Sequence, residues 1–236
     1  MISLALGCVL AQWMCLFPAG GALVRVGAQR LENGFDPRRV EIAAGETVKW
    51  VSIDDFHTVT SGLRSSCADA KVLFDAAIHI GQPIVARQFP HAGRYHYYCV
   101  PHERHRMTGI VDVSGLSLLG TPKAGSVVQW QVRDLPPESN GKLARILLTA
   151  SGSSPGVPLF CLGELPLQPD LWTDFSIRHP GIFTTGVITG GTAVTPPLTL
   201  PGWIPAGWTI VSTALVQDPS TGLPERILPA LTSVTQ

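Results

Sequence analysis

The sequence predicts an all-β fold made of two consecutive β-sandwich-like domains. Its 236 residues include 24 Gly and 20 Pro, a composition typical of many short strands joined by turns. Polar and apolar residues alternate in short runs such as 39–42, as they do in half-buried strands. Fifteen of the 20 Pro follow residue 115, which excludes long helices there. The 17 basic and 17 acidic residues balance, so charge gives no basis for nucleic-acid binding.

The chain opens with an uncharged and largely apolar segment, residues 1–22. The segment ends in a run of proline and small residues at 18–22, which suits cleavage by a signal peptidase. The first basic residue is Arg25, so the basic start that signal peptides usually have is missing. We therefore expect an exported protein, located in the periplasm, at the cell surface or outside the cell. Retention of the segment as an N-terminal membrane anchor is the alternative.

Residues 23–115 are predicted to form the first domain, a sandwich of short antiparallel strands. Strands are expected at residues 23–26, 39–42, 47–51, 56–60, 85–89, 93–99 and 109–113. The turn signal at residues 43–46 is expected to join the second and third of these strands as a hairpin. Residues 61–85 show no sustained period, so we expect an irregular segment there.

Residues 116–126 are expected to be a linker, and residues 127–236 a second all-β domain of unknown function. Residues 127–132 alternate as a strand does, whereas residues 144–149 fit a helix or a strand equally well. The second domain has no His, Cys or carboxylate cluster with ligand spacing, so nothing in it predicts catalysis. Trp172, Trp203 and Trp208 are expected to be core side chains, and a carbohydrate-binding platform is the alternative.

The residues that carry chemistry lie in the first domain, where six of the seven His fall between His57 and His105. Cys99 follows a predicted strand, and His102 and Met107 come next, on one short loop. Thiolate and thioether select Cu(I), and imidazole binds both oxidation states of copper. A blue copper centre requires a second imidazole, which His57 supplies from another strand. The pattern therefore predicts a copper site.

This arrangement resembles the plastocyanin and pseudoazurin branch of the cupredoxins over residues 23–114. The spacing Cys99-x2-His102-x4-Met107 is similar to the ligand loop of that family. Residues 45–50, followed by Phe56 and His57, resemble the strand pair before its first copper His. Residues 107–113 resemble its last strand. The second half of the chain only faintly resembles β-rich modules of secreted bacterial proteins, a similarity that implies no activity.

The resemblance implies a Greek-key β-sandwich with one type 1 copper ion, bound by His57, Cys99, His102 and Met107. It implies an electron carrier. It also implies that Thr58 forms a hydrogen bond between the strand of the first ligand and the Cys99 loop.

Two assignments in the first domain have alternatives. His105 lies six residues after Cys99, where cupredoxins with a shorter loop carry their axial Met, so it competes with Met107 for the axial position. Removal of the leader leaves Cys67, Cys99 and Cys161, an odd number of thiols. Cys67 and Cys161 are either a disulfide between the domains or two unrelated buried thiols, because the sequence does not fix their distance.

An electron carrier requires a protein redox partner, which we expect to dock near His102. Glu103, Arg104 and Arg106 surround this residue, and their positive excess would steer an acidic partner. A hydrated loop without a docking function is the alternative. Membrane contact is expected only if the leader is retained, and the sequence does not predict an oligomeric state.

The alternative function is a cell-surface interaction or adhesion protein in which copper is incidental. We do not expect an enzyme, because a single copper ion with four protein ligands leaves no position for a substrate. Multicopper oxidases also require His-x-His pairs, and the sequence contains none.

Overall fold

A computed structural model describes residues 21–27, 34–54, 56–67 and 72–236. The expected leader therefore lies outside the described residues, except for residues 21 and 22. The fold is built mainly from β-strands, which confirms the all-β prediction. Among the described residues, no helix is both long and apolar enough to cross a bilayer.

The described residues of the first half form nine strands. They are β1 (Ala22–Val26), β2 (Phe35–Asp36), β3 (Arg39–Ile42), β4 (Thr47–Ser52), β5 (His57–Ser61), β6 (Asp75–Ile78), β7 (Ile84–Gln88), β8 (Gly93–Tyr98) and β9 (Thr108–Val113). One sheet has the order β2-β1-β4-β7 and the other the order β3-β9-β8-β5-β6. Buried side chains of both sheets, among them Val26, Trp50, Tyr97 and Val111, form one apolar core. This half is therefore a β-sandwich.

The predicted hairpin of β3 and β4 is wrong. β3 pairs in parallel with β9, whereas β4 lies in the other sheet, parallel to β1 and antiparallel to β7. The turn at residues 43–46 therefore carries the chain from one sheet to the other. The prediction that the strands are all antiparallel fails at the two parallel pairs, β3 with β9 and β1 with β4. β6 also corrects the sequence analysis, because it forms a strand beside β5 within the segment expected to be irregular.

The second half, all of which lies within the described residues, contains ten strands and two short α-helices. The strands are β10 (Leu116–Leu119), β11 (Val127–Val132), β12 (Leu143–Thr149), β13 (Val157–Pro158), β14 (Glu164–Leu165), β15 (Ala193–Val194), β16 (Leu198–Thr199), β17 (Thr209–Gln217), β18 (Pro224–Ile227) and β19 (Leu231–Val234). The helices are α1 (Leu171–Arg178) and α2 (Pro180–Phe183). β10 falls within the stretch expected to be a linker and pairs with β11. The stretch at residues 144–149, ambiguous in the sequence, lies in strand β12.

The second half has its own apolar core between two main sheets. β11 pairs with β10, β15 and β16, and β17 pairs with β12, β18 and β19. Trp172 and Trp208 pack against this core with their ring centroids 5.1 Å apart, as expected for core side chains. Trp203 is 69% exposed, so its predicted place in the core is wrong.

The two halves are joined by a disulfide and by several hydrogen bonds. Cys67 and Cys161 form the disulfide, 94 residues apart in sequence. The Arg94 guanidinium donates to the Glu164 carbonyl at 2.9 Å. The Arg226 guanidinium donates to the Tyr95 hydroxyl at 3.1 Å. The open question about the two cysteines is thus answered by a covalent link between the halves.

Candidate metal centre

The candidate site lies at the end of the first sandwich where β8 gives way to a loop. Cys99 directly follows β8, and Met107 directly precedes β9, so the two strands fix both ends of the loop. His57 is the first residue of β5, the neighbour of β8 in the same sheet. Pairing of Thr60 with Tyr98 places the start of β5 beside the end of β8. The sheet therefore brings together residues 42 positions apart in sequence.

Three nitrogen and sulfur donors converge at this point. The Cys99 Sγ atom lies 3.6 Å from Nδ1 of His57 and 3.3 Å from Nδ1 of His102. The three donor atoms all lie within 4.8 Å of one another. Such separations suit donors that share one first-row metal ion, whose bonds to nitrogen and sulfur are about 2.0–2.3 Å long. A buried thiol between two imidazoles is also the equatorial donor set of a blue copper centre.

Met107 lies in the same buried cluster as Cys99 and is only 3% exposed. The Cys99 amide donates to the Met107 carbonyl at 3.0 Å, which closes the loop between them. Gly34 provides space for the thioether, because a Cβ atom at that position would lie 2.8 Å from the Met107 sulfur. By contrast, His105 is exposed, and the centroid of its ring lies 6.1 Å from that of the His102 ring.

The loop from Cys99 to Met107, called the ligand loop from here on, is a compact turn held by hydrogen bonds of its own backbone. The His102 amide donates to the Cys99 carbonyl at 3.2 Å, and a short 3-10 turn at Glu103–His105 follows. Arg106 closes that turn in the left-handed region, at φ 58°, and its amide donates to the Glu103 carbonyl. This reversal directs the chain back so that Met107 is buried beside the sheet.

Thr58 connects the strand of His57 to the Cys99 loop in two ways. Its amide donates to the Cys99 sulfur at 3.3 Å. Its hydroxyl accepts a hydrogen bond from the Val100 amide at 2.8 Å. The tie that the family resemblance implied for Thr58 is confirmed. An amide that donates to sulfur stabilises the thiolate, which is the form that binds a metal.

The outer nitrogen of His57 has a partner that the sequence analysis missed. Nε2 of His57 lies 2.9 Å from an oxygen of the Asp54 carboxylate. The signal available in the sequence was an acidic residue three positions before His57.

His102 is the most exposed of the three donors. His57 and Cys99 are buried, whereas His102 is partly accessible to solvent. Burial and the nearby His57 and His105 imidazoles lower the pKa of His102 from its ordinary value. Its ring is therefore neutral at neutral pH, with a nitrogen lone pair free to bind a metal.

The other histidines of the first half do not join the cluster. His79 accepts a hydrogen bond on Nδ1 from the Gly81 amide. His96 packs at the junction of the halves, where a Cβ atom on Gly163 would lie 2.1 Å from Nε2 of His96. Phe56 is 53% exposed and so is not a core aromatic, whereas Tyr97 is fully buried.

Comparison with known proteins matches the first half of the chain to one family. The family described as copper binding proteins, plastocyanin/azurin family, matches residues 22–114. Plastocyanin of Scenedesmus fuscus is 33% identical over 98 residues, which cover 38% of this chain and 96% of that protein. The chain belongs to the plastocyanin/azurin family. Chloroplastic plastocyanin of Tetradesmus obliquus is 31% identical over 119 residues, covering 48% of this chain and 80% of the relative.

The cupredoxin resemblance of the first half is thus confirmed. A solved structure of a purple cupredoxin from Nitrosopumilus maritimus aligns with 39% of this chain and 99% of its own, at 26% identity and a TM-score of 0.32. The plastocyanin/azurin family and the cluster of His57, Cys99 and His102 support one copper ion as the cofactor. The same two findings fit a blue copper protein.

Proposed function

We propose that this cupredoxin is an exported type 1 copper protein that carries one electron between redox partners. In this proposal His57, Cys99, His102 and Met107 are the copper ligands. The observation that carries it is the buried Cys99 thiol, with an imidazole nitrogen at 3.6 Å on one side and at 3.3 Å on the other. Bound copper supplies the one-electron couple.

The protein's contribution is a frame that keeps the donors in place in both oxidation states. His57 belongs to β5, and Cys99 and Met107 flank the paired strands β8 and β9. The Thr58 hydroxyl and the Met107 carbonyl each accept an amide hydrogen bond from the loop at Cys99 and Val100. A frame held from both ends reorganises little when an electron arrives or leaves, so transfer is fast.

The electron exit in this proposal is the accessible edge of His102, and the redox partner docks there. Val100 is 47% exposed beside it and provides apolar contact area. The Glu103 carboxylate accepts hydrogen bonds from the hydroxyl and the amide of Ser65. Arg104 and Arg106 are exposed, so positive charge predominates around the exit. Such a surface attracts an acidic partner and acts mainly on the association rate.

The disulfide supports export. Disulfides persist in oxidising compartments and are rare in the cytosol. Cys67 and Cys161 form such a bond, while Cys99 stays a free, buried thiol. The assignment of four protein ligands also leaves no position for a substrate, so the proposal is an electron carrier and not an enzyme.

Voltammetry and stopped-flow kinetics test the proposal on the copper-loaded protein. We expect a reversible one-electron wave and rapid oxidation by an anionic one-electron oxidant. The oxidation rate should fall as ionic strength rises and should fall in Arg104→Gln with Arg106→Gln. Arg25→Gln, on strand β1, is the matched control and should leave the rate unchanged. A copper-loaded protein without a reversible wave would contradict electron transfer and favour the adhesion function.

The axial ligand is tested by two loop variants. Met107→Leu removes the buried thioether, and His105→Gln removes the exposed imidazole. If Met107 is the axial ligand, only Met107→Leu changes the visible spectrum and the reduction potential. A change confined to His105→Gln would assign the axial position to His105 instead.

A further inference from the structure

A carboxylate holds the outer nitrogen of His57. Nε2 of His57 lies 2.9 Å from Oδ1 of Asp54, and the His57 ring is buried. Nδ1 of the same ring faces the Cys99 sulfur at 3.6 Å. A nitrogen that binds a metal carries no proton, so the proton of the neutral ring lies on Nε2, which donates to Asp54.

The backbone around Asp54 is fixed from two directions. The Ser52 hydroxyl donates to the Asp54 carbonyl at 2.8 Å. The Ile53 amide donates to the Val26 carbonyl at 2.9 Å, which ties this turn to strand β1. The Asp54 side chain therefore leaves a constrained turn, and its direction toward His57 is built into the fold.

Gly27 provides the space in which the carboxylate and the imidazole meet. Its φ is +96°, and a Cβ atom there would lie 1.5 Å from Oδ1 of Asp54 and 2.8 Å from Nε2 of His57. Any side chain at this position would displace the pair. The hydrogen bond between Asp54 and His57 therefore requires glycine at position 27.

We propose that Asp54 is a positioning residue that orients His57 and lowers the reduction potential of the copper site. The inference rests on the proposed function, because it assigns His57 as a copper ligand. Carboxylates on the outer nitrogen of ligand histidines fix the tautomer and make the imidazole a stronger donor. Asp54 thus has two effects that can be tested separately, one on the orientation of His57 and one on the reduction potential through its charge.

The sign of the charge effect follows from Coulomb's law. The oxidised site carries one more positive charge than the reduced site, so a nearby carboxylate stabilises the oxidised form more. The Asp54 side chain is 27% exposed, which screens the interaction in part. We expect removal of the charge to shift the redox equilibrium about tenfold toward the reduced form. For a one-electron couple this is a rise of about 59 mV.

Asp54→Asn tests the charge. Asn has nearly the same size and keeps an oxygen that accepts the hydrogen bond from Nε2. We expect the tenfold shift with the thiolate-to-copper absorption retained. Glu41→Gln is the matched control, because it removes a carboxylate that is 73% exposed and paired with Arg39 instead of His57. An Asp54→Asn potential equal to that of Glu41→Gln overturns the charge effect.

Asp54→Leu tests the orientation, in the copper-free full-length protein as well as in the loaded one. Nitrogen-15 NMR of the imidazoles should place the His57 proton on Nε2 in the original protein and distribute it over both nitrogens in Asp54→Leu. Copper affinity should fall about 10- to 100-fold. Far-UV circular dichroism confirms folding of each variant. An unchanged tautomer in folded Asp54→Leu overturns the orienting role.

The two proposals fail in different ways. If the original protein develops no thiolate-to-copper absorption, the proposed function fails, and the NMR experiment on copper-free protein still decides whether Asp54 orients His57. If the absorption develops and neither the potential nor the tautomer responds to the Asp54 variants, only the inference about Asp54 fails.

Discussion

Asp112 is a buried carboxylate that links β8 and β9, the two strands that flank the ligand loop. Its side chain is fully buried and accepts two hydrogen bonds from the Arg94 guanidinium, at 2.8 and 2.9 Å. Arg39 reaches the same carboxylate at 2.6 Å. Asp112 and Arg94 are register partners on β9 and β8, the strands that hold the two ends of the ligand loop.

Asp112→Asn should therefore be strongly destabilising. The substitution leaves the Arg94 guanidinium, whose side chain is only 3% exposed, without a counter-charge. Removal of one partner from a buried ion pair costs about 3–5 kcal/mol in the free energy of unfolding. Urea unfolding followed by tryptophan fluorescence measures this loss. Copper binding by the folded fraction should persist, because Asp112 lies outside the donor cluster.

Glu41→Gln is the internal control for this experiment. Glu41 pairs with the same Arg39 at 2.9 Å, but its side chain is 73% exposed. Exposed ion pairs contribute about 0–1 kcal/mol, so this variant should unfold close to the original protein. If Asp112→Asn costs no more than Glu41→Gln, the reasoning from burial is refuted.

Two further predictions concern pH and the disulfide. Burial, with a smaller effect of Arg94, lowers the pKa of His96 from 6.5 to about 4. The unfolded chain then binds the proton first, so the free energy of unfolding should fall as pH drops from 6.5 to 4, by about 3 kcal/mol. His96→Gln should remove this pH dependence of the free energy of unfolding, measured by urea unfolding at several pH values. If the free energy still falls with pH in His96→Gln, His96 is not the source of the dependence. Replacement of both Cys67 and Cys161 by Ser removes the disulfide between two residues that are 94 positions apart in sequence. Loop-closure entropy predicts a loss of about 4–5 kcal/mol in urea unfolding, and unchanged stability would contradict it.

The sequence predicted most strands but not their partners. The sequence pattern predicts strands at residues 39–42 and 47–51, and a turn signal between them favours a hairpin. The actual partner of β3 is β9, and the actual partners of β4 are β1 and β7. Pairings over long sequence distances leave no local signal, so pattern analysis could not find them.

Two elements had weak or overlooked signals. β6 has four residues, of which only Ile78 is buried, so its sequence shows no alternation to detect. Its strand conformation comes from pairing with β5. Helix α1 begins at a capping box in which the Asp170 carboxylate accepts from the amides of Trp172 and Thr173. That Asp-x-x-Thr pattern is present in the sequence, between Pro169 and Pro180.

The candidate site was easier to predict than the fold around it. Soft metal binding needs thiolate, imidazole and thioether, and Cys99, His102 and Met107 supply these rare residue types from one short stretch of sequence. The supporting contacts depend on the folded backbone. The hydrogen bond of Asp54 to His57 requires the turn at Ser52 and the open space at Gly27, neither of which is visible before the strands are placed.

Titration of the copper-free protein with Cu(II), followed in the visible spectrum, tests the central claim most directly. The account predicts an intense thiolate-to-copper absorption that saturates at one copper per chain and disappears on reduction by ascorbate. Cys99→Ser, folded as judged by circular dichroism, should show no such band. A folded original protein that develops no charge-transfer band, or a band that survives in Cys99→Ser, would contradict the account.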